Sequence, residues 1–195
     1  MFQQSIAILL VDTETSGLSI ENDFMTEYAL YNPFTGASYS TLININKDTT
    51  DEPIKLSKRN INITGIHPDM LMKDGIGCKE AFTRFMEFVN IGNPERIVLI
   101  GHNIIKFDKP FLEKYFNMYN MDTSRFEYLD SYIILCKRYP KLKCHRLGYL
   151  KNVLGIELSF PLHRALADCK CLHKVLEKSN IYDYTIDELL LYCKS

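Results

Sequence analysis

Five side chains in this 195-residue sequence are spaced to do chemistry together: Asp12, Glu14, Asp108, His163 and Asp168. Asp12 and Glu14 end the apolar run AILLVDTET. Side chains alternate across a strand, so these two carboxylates share a face and Thr13 turns to the other. Like charges side by side repel, and the usual remedies are a shared proton or a bound cation. Asp168 borders the inward stripe Ala165, Cys169, Leu172 and Leu176 of a helical pattern. A buried carboxylate without a partner is costly, so its position also calls for a counter-charge. Asp108 stands two residues before Pro110, at the mouth of another helix.

Each acid taken alone has a plainer reading. Asp108 could be an N-cap, for which Asp is among the best residues. Asp12 and Glu14 could be strand-end acids in solvent, and Asp168 could pair with Arg164 on its own helix. As a set they say more, because four acids each end or border an element that should pack on one sheet. Four carboxylates can share two divalent cations about 4 Å apart, which clamp the attacking and leaving oxygens of a phosphoryl displacement. Hard oxygen ligands favour Mg²⁺ or Mn²⁺ over zinc. His163, five residues before Asp168, has the proton affinity to serve as a base toward water near neutral pH, although a lone histidine is more often structural.

The elements that must position these groups follow from periodicity. Ile6 to Val11 is a continuous apolar run, as in a strand covered on both faces. Thr26 to Tyr31 and Ser38 to Ile45 flank the turn-rich segment 32–36 and predict an antiparallel hairpin extending that sheet. The segment 48–77 reads as loop with short helical pieces. Phe82, Phe85, Met86 and Val89 predict a helix from Lys79 to about Asn90, and Arg96 to Ile100 a second buried strand. A helix carrying Phe111, Leu112, Tyr115, Phe116 and Tyr119 follows, with Pro110 in its first turn. Tyr128 to Asp130 predicts a short strand. Helices are expected at Ser131 to Tyr139, at Arg146 to Leu154 with Gly155 as its stop, and at Ala165 to Lys178. The last helix, Thr185 to Cys193, opens on a Thr-x-x-Glu capping box.

Composition bounds the rest. Hydrophobic residues at 46% and charged residues at 24% are ordinary for a globular protein, and the length suits a single domain over 1–195. A net charge of −1 excludes an overall positive field for loose nucleic-acid binding, so any such role must rest on a local site. Six cysteines without a CxxC pair argue for reduced thiols rather than a zinc site. The first residues form no signal or membrane segment, which predicts an intracellular protein, cytoplasmic or nuclear, with no membrane partner. Lys55, Lys58 and Arg59, and Lys141, Lys143 and Arg146, are the basic groups available for a modest backbone track.

Three stretches resemble a known family. Val11-Asp12-Thr13-Glu14-Thr15 resembles the first motif of the DEDD 3′–5′ exonucleases, which include polymerase proofreading domains. Gly101-His102-Asn103 with Phe107-Asp108 and Phe111-Leu112 resembles the second. His163-Arg164-Ala165-Leu166-Ala167-Asp168 resembles the third in its DEDDh form. The motifs stand in family order from Asp12 to Asp168. Glu27, Thr64-Gly65-Ile66, Leu147 and Leu150 add smaller similarities. One departure is that Ile104, Ile105 and Lys106 separate Asn103 from Phe107, where many members have two residues.

The resemblance implies an α/β, RNase-H-like fold, with a mixed five-stranded sheet flanked by helices. It assigns Asp12, Glu14, Asp108 and Asp168 to two Mg²⁺ or Mn²⁺ ions and His163 to deprotonation of the attacking water. Thr13 and Thr15 would bind the 3′-terminal nucleotide through backbone groups and Leu18 would pack on its base. His102 and Asn103 would approach the scissile region. The substrate would be a single-stranded or frayed 3′ end of DNA or RNA, releasing nucleoside 5′-monophosphates. Partners would be a polymerase or repair assembly, or a second copy in a homodimer. The rival functions are a metal-dependent nucleotidase or phosphatase, and an inactive nucleic-acid-binding module.

Overall fold

The computed structural model describes residues 5–48, 54–159 and 162–194. Residues 49–53, inside the expected loop, lie outside the described residues, as do 160–161 just before His163. Five strands form one mixed sheet: β1 (Ile6–Thr15), β2 (Met25–Tyr31), β3 (Ser38–Leu42), β4 (Arg96–Gly101) and β5 (Phe126–Asp130), in the order β3-β2-β1-β4-β5. β1 is central, antiparallel to β2 and parallel to β4, and β4 is parallel to β5. This is the expected sheet of five strands with helices on both faces.

The acids sit within the last residues of β1, past the apolar run that marks the strand. The apolar run stops at Val11, but β2 continues the ladder past it, pairing Asp12 with Ala29, Thr13 with Tyr28 and Glu14 with Glu27. Pairing with a neighbour, which the residues of β1 alone do not display, extends the strand to Thr15. β3 in turn stops at Leu42 instead of Ile45. Ile43 bridges to Ile76, and residues Ile45–Asp48 tighten into a 3-10 turn in which Asn44 Oδ1 accepts from the Asn46 amide at 3.0 Å.

The short helical pieces of the long connection are α1 (Lys58–Thr64) and α2 (Pro68–Asp74). α3 (Cys78–Val89) and α4 (Asp108–Met118) cover one face of the sheet, and α7 (Ala165–Lys178) the other. α5 (Ser131–Arg138), α6 (Leu147–Val153) and α8 (Ile186–Lys194) complete the α7 side. The capping box holds: the Thr185 amide and hydroxyl both donate to Glu188 Oε2 at 2.8 Å. Gly155 follows α6 with φ +63°, the left-handed conformation expected of its stop. Among the described residues no helix is long and apolar enough to cross a membrane.

Alternation along β1 decides which layer each residue meets. Leu9 and Val11 enter the core shared with Phe82, Phe85 and Phe111, while Leu10 enters the core with Val175 and Leu176. By the same parity Thr13 faces the α3/α4 layer, and Asp12 and Glu14 face α7.

Candidate active site

The α7 face is where the third carboxylate arrives. Asp12, Glu14 and Asp168 each offer an oxygen within 4.8 Å of the others, a set able to hold a cation. Asp168 lies in the first turn of α7, and its Oδ2 accepts the backbone N–H of His163 at 3.0 Å. Asp108 comes from the other layer. Its Oδ1 accepts from the Thr13 amide at 3.1 Å and the Thr13 hydroxyl at 2.8 Å, and the residue is only 3% exposed. The expected four-acid cage is therefore three carboxylates on the α7 side, with the fourth secured through Thr13. Asp108 is not the N-cap of α4; that place belongs to Phe107.

Burial first, and neighbouring acids second, hold all four carboxyls above the ordinary range. Glu14 is pushed up to about 8 by burial and then by Asp168, Glu27 and Asp108. Burial raises Asp108 to about 7 against the stabilising Thr13 hydrogen bonds, and raises Asp168 to about 6 against the His163 N–H and charge. Asp12 is raised well above the usual value, by burial first and Asp108 second. Such a cluster gains by taking up a cation, and its all-carboxylate oxygens suit a hard divalent ion.

Two cavities flank the acids. One, of about 250 Å³, is lined by Glu14, Thr15, Leu18, Asn60, Ile63 and Phe107. Leu18 stands 81% exposed at its edge. The other, of about 480 Å³, is lined by Asp12, Asp168, His163, His102, Arg146 and Tyr149. His163 is exposed there with φ +70°, a left-handed conformation that costs energy for a non-glycine residue.

His102 has both ring nitrogens engaged by the protein, Nε2 with the His145 carbonyl at 2.7 Å and Nδ1 with Ser131 Oγ at 3.0 Å. Burial lowers its proton affinity, and the ring forms part of the wall of the second cavity. Asn103, at φ +67°, donates its backbone N–H to Asp130 Oδ1 at 2.9 Å, and the Ile105 amide donates to Oδ2 at 3.2 Å. Asp130 thus shapes the loop of the second motif. The extra residue of that loop is absorbed by a turn: Phe107 N–H donates to the Asn103 carbonyl, and Ile104 packs where a Cβ on Gly101 would come within 2.8 Å of it.

Several residues of the site carry no chemical signal in the sequence. Asn60 and Ile63 reach the first cavity from α1, a helix without a periodic stripe long enough to stand out. Arg164 pairs with Glu27 across 137 positions of sequence, not with Asp168 four residues on.

Residues 9–176 match the family model described as Exonuclease. The chain belongs to the exonuclease family. Similar proteins include the PolC-type DNA polymerase III of Bacillus cereus, 28% identical over 170 residues, which are 87% of this chain and 11% of that protein. The PolC-type DNA polymerase III of Mycoplasma genitalium is 29% identical over 126 residues, 64% of this chain and 8% of that protein. The exonuclease chain thus spans about a tenth of the curated relatives it matches. Among solved structures, the zinc-bound complex of Escherichia coli exonuclease I with single-stranded DNA superposes with a TM-score of 0.75 at 20% identity, covering 97% of this chain and 43% of that one. The same enzyme with a dA16 oligonucleotide gives 0.71 at 20% identity, over 93% and 43%. At that identity the likeness establishes the fold of this exonuclease, which is RNase-H-like as the motifs implied.

Proposed function

We propose that this chain is a metal-dependent 3′–5′ exonuclease that removes nucleoside 5′-monophosphates one at a time from a single-stranded or frayed 3′ end. The observation that carries the reading is the position of Asp12, Glu14 and Asp168, within 4.8 Å of one another, between a small, mainly apolar cavity and a second cavity holding His163. Its seat is a single exonuclease domain spanning 1–195. DNA is the favoured polymer, because the matched relatives are DNA polymerases and the neighbouring fold is described with single-stranded DNA.

Asp12, Glu14 and Asp168, with Asp108 behind them, would hold two Mg²⁺ or Mn²⁺ ions, which when bound neutralise phosphoryl charge and make water more acidic. The chain's own residues do the rest. The terminal nucleotide lies in the first cavity, its base against Leu18, Ile63 and Phe107 and its sugar toward Glu14 and the Thr15 backbone. Thr13 keeps Asp108 in place. His163 Nδ1 or Nε2 accepts a proton as a water oxygen bonds to phosphorus and the bond to the 3′-oxygen of the preceding nucleotide breaks. His102 lines the wall past which the strand leaves, Asn103 shapes the loop behind it, and Arg146 offers a cation to its phosphates.

The near-neutral net charge fits a site that grips one or two nucleotides rather than a long duplex. A polymerase or repair assembly is the partner that would present such an end. The deciding experiment is digestion of 5′-labelled DNA and RNA oligonucleotides, single-stranded, paired and 3′-mismatched, with Mg²⁺ or Mn²⁺. A stepwise ladder with 5′-monophosphate product supports the reading. Release of inorganic phosphate from mononucleotides, with oligonucleotides untouched, would replace it with a phosphatase.

A further inference from the structure

We propose that His102 is a positioning residue for Arg146, holding its guanidinium toward the phosphates of the strand that leaves the site, a role that rests on the exonuclease reading above. The peptide that joins His145 to Arg146 is gripped on both edges. Its carbonyl accepts from His102 Nε2 at 2.7 Å, and its N–H donates to Cys144 Sγ at 3.4 Å. A carbonyl oxygen can only accept, so His102 Nε2 carries a proton. The peptide is planar, so holding both of its edges fixes the bond into Arg146 and limits where that side chain can point.

The segment depends on such contacts, because residues 139–146 contain no helix or strand. His145 Nε2 donates to the Tyr139 carbonyl at 2.9 Å, closing the segment on itself, and the Tyr132 ring meets the His102 and His145 imidazoles edge-on, with centroids 5.6 and 6.2 Å away. His102 is anchored in turn by Ser131 Oγ, 3.0 Å from its Nδ1 at the start of α5. Neither ring nitrogen is left for substrate, so the effect of His102 on the strand passes through the peptide it grips. Lys141, Lys143 and Arg146 form no salt bridge among the described residues. Arg146 is exposed at the cavity that also contains Asp12, Asp168 and His163. A guanidinium without an acid of its own suits an anion from outside the chain, and its planar fork matches a phosphodiester.

The experiment measures kcat/KM in Mg²⁺ on two substrates: a short oligothymidylate, and the p-nitrophenyl ester of thymidine 5′-monophosphate, which has no phosphate beyond the one cleaved. Arg146→Ala loses about tenfold more on the oligonucleotide than on the ester, the size of one charge-assisted hydrogen bond. His102→Leu shows the same skew, and combining it with Arg146→Ala adds no further loss, because both act on one contact. His102→Gln, whose amide nitrogen can donate from the place of Nε2, restores most of the oligonucleotide rate. His102→Asn, whose amide reaches only the place of Nδ1, does not. Equal losses on the two substrates in His102→Leu, or losses that add to those of Arg146→Ala, overturn the proposal and leave His102 as a brace for the fold. Should His102→Leu not fold, His102→Gln and His102→Asn make the same comparison. If the wild type cleaves neither substrate, the exonuclease reading fails. Hydrogen exchange over residues 139–146 then decides the grip: faster exchange in His102→Asn that His102→Gln restores supports it, and equal exchange in both overturns it.

Discussion

Arg164 lies against Glu27, with its Nη2 2.8 Å and its Nε 3.0 Å from the two carboxylate oxygens, and the amide of Ala165 donates to the same carboxylate at 3.0 Å. Glu27 is 4% exposed and sits on β2 opposite Glu14. The pair therefore clasps the start of α7, with His163 on one side of Arg164 and Asp168 four residues on, to the strand beside the carboxylates. It also supplies the positive charge that lets a fifth acid stand near the cluster.

Removing the guanidinium leaves Glu27 buried and unpaired. Arg164→Ala is expected to destabilise the protein by about 2 kcal/mol, less than a fully buried pair because Arg164 is partly solvated. It should also lower kcat more than it raises KM. Arg164→Lys, which cannot form the fork, should fall between. Urea unfolding and steady-state kinetics check both, and a variant with wild-type kcat would separate the clasp from the position of His163.

The carboxylates trade stability for function. Asp12→Asn removes a charge from a crowded buried group, so the cation-free variant should melt several degrees above the wild type while losing nearly all hydrolysis. Asp168→Ala should be equally inactive and remain folded. Differential scanning calorimetry in EDTA, followed by an oligonucleotide assay in Mg²⁺, reads both effects. Hydrolysis surviving in either variant would remove the acids from the reaction.

Stability of the cation-free protein should depend on pH in an unusual direction. Glu14, Asp108 and Asp168 titrate in the folded chain at about 8, 7 and 6, above their unfolded values near 4. The folded state then binds more protons than the unfolded state across that window, so stability falls as pH rises from about 5 to about 8. Divalent cations displace those protons and should reverse the slope. Melting temperatures across this range, with EDTA and with Mn²⁺, test the sign.

His163, the proposed proton acceptor, is exposed and contributes little packing. His163→Ala should reduce kcat at least about a hundredfold near neutral pH, the scale of general-base catalysis. The affinity for Mn²⁺ should be nearly unchanged in titration calorimetry, since the imidazole is not among the clustered ligands. An unchanged rate would mean that another group takes the proton.

Leu18 separates binding from folding. At 81% exposure its side chain buys the fold almost nothing, so Leu18→Ala should leave the melting temperature within a degree. Losing its contact with the terminal base should raise KM about fivefold to tenfold. A matching loss in Phe107→Ala, which lines the same cavity, would support a base held between them.

What the sequence displays and what it hides divide along a physical line. The strand at Ile6, the helix at Ala165 and the capping box at Thr185 announce themselves because local pattern determines them. The acids stand out because a charge beside an apolar stripe violates the pattern, and His163 by its place five residues before Asp168. The end of β1 at Thr15 was not legible, since it depends on β2 pairing across nine intervening residues. Nor was the partner of Arg164, where a long-range carboxylate displaced the local one. Asn60 and Ile63 stayed hidden for a different reason: α1 is a short helix whose placement over the strand end comes from tertiary packing. Asp108 reaches the site from the opposite layer because α4 packs there, where the parity of β1 also sends Thr13, and this is visible only once the direction of each core is known.

β1 is hydrogen-bonded to β4 through Ile6–Leu10 and to β2 through Leu10–Thr15, and the Thr13 amide is held by Asp108. Amides along such a strand exchange with solvent only when the whole sheet opens. Asp12 and Glu14 therefore keep their spacing through every smaller fluctuation of the protein. Asp168 and His163 depend instead on one helix end and the salt link that anchors it. The site thus has a permanent half and a releasable half, and a partner able to prise away the start of α7 would switch off hydrolysis without unfolding anything else.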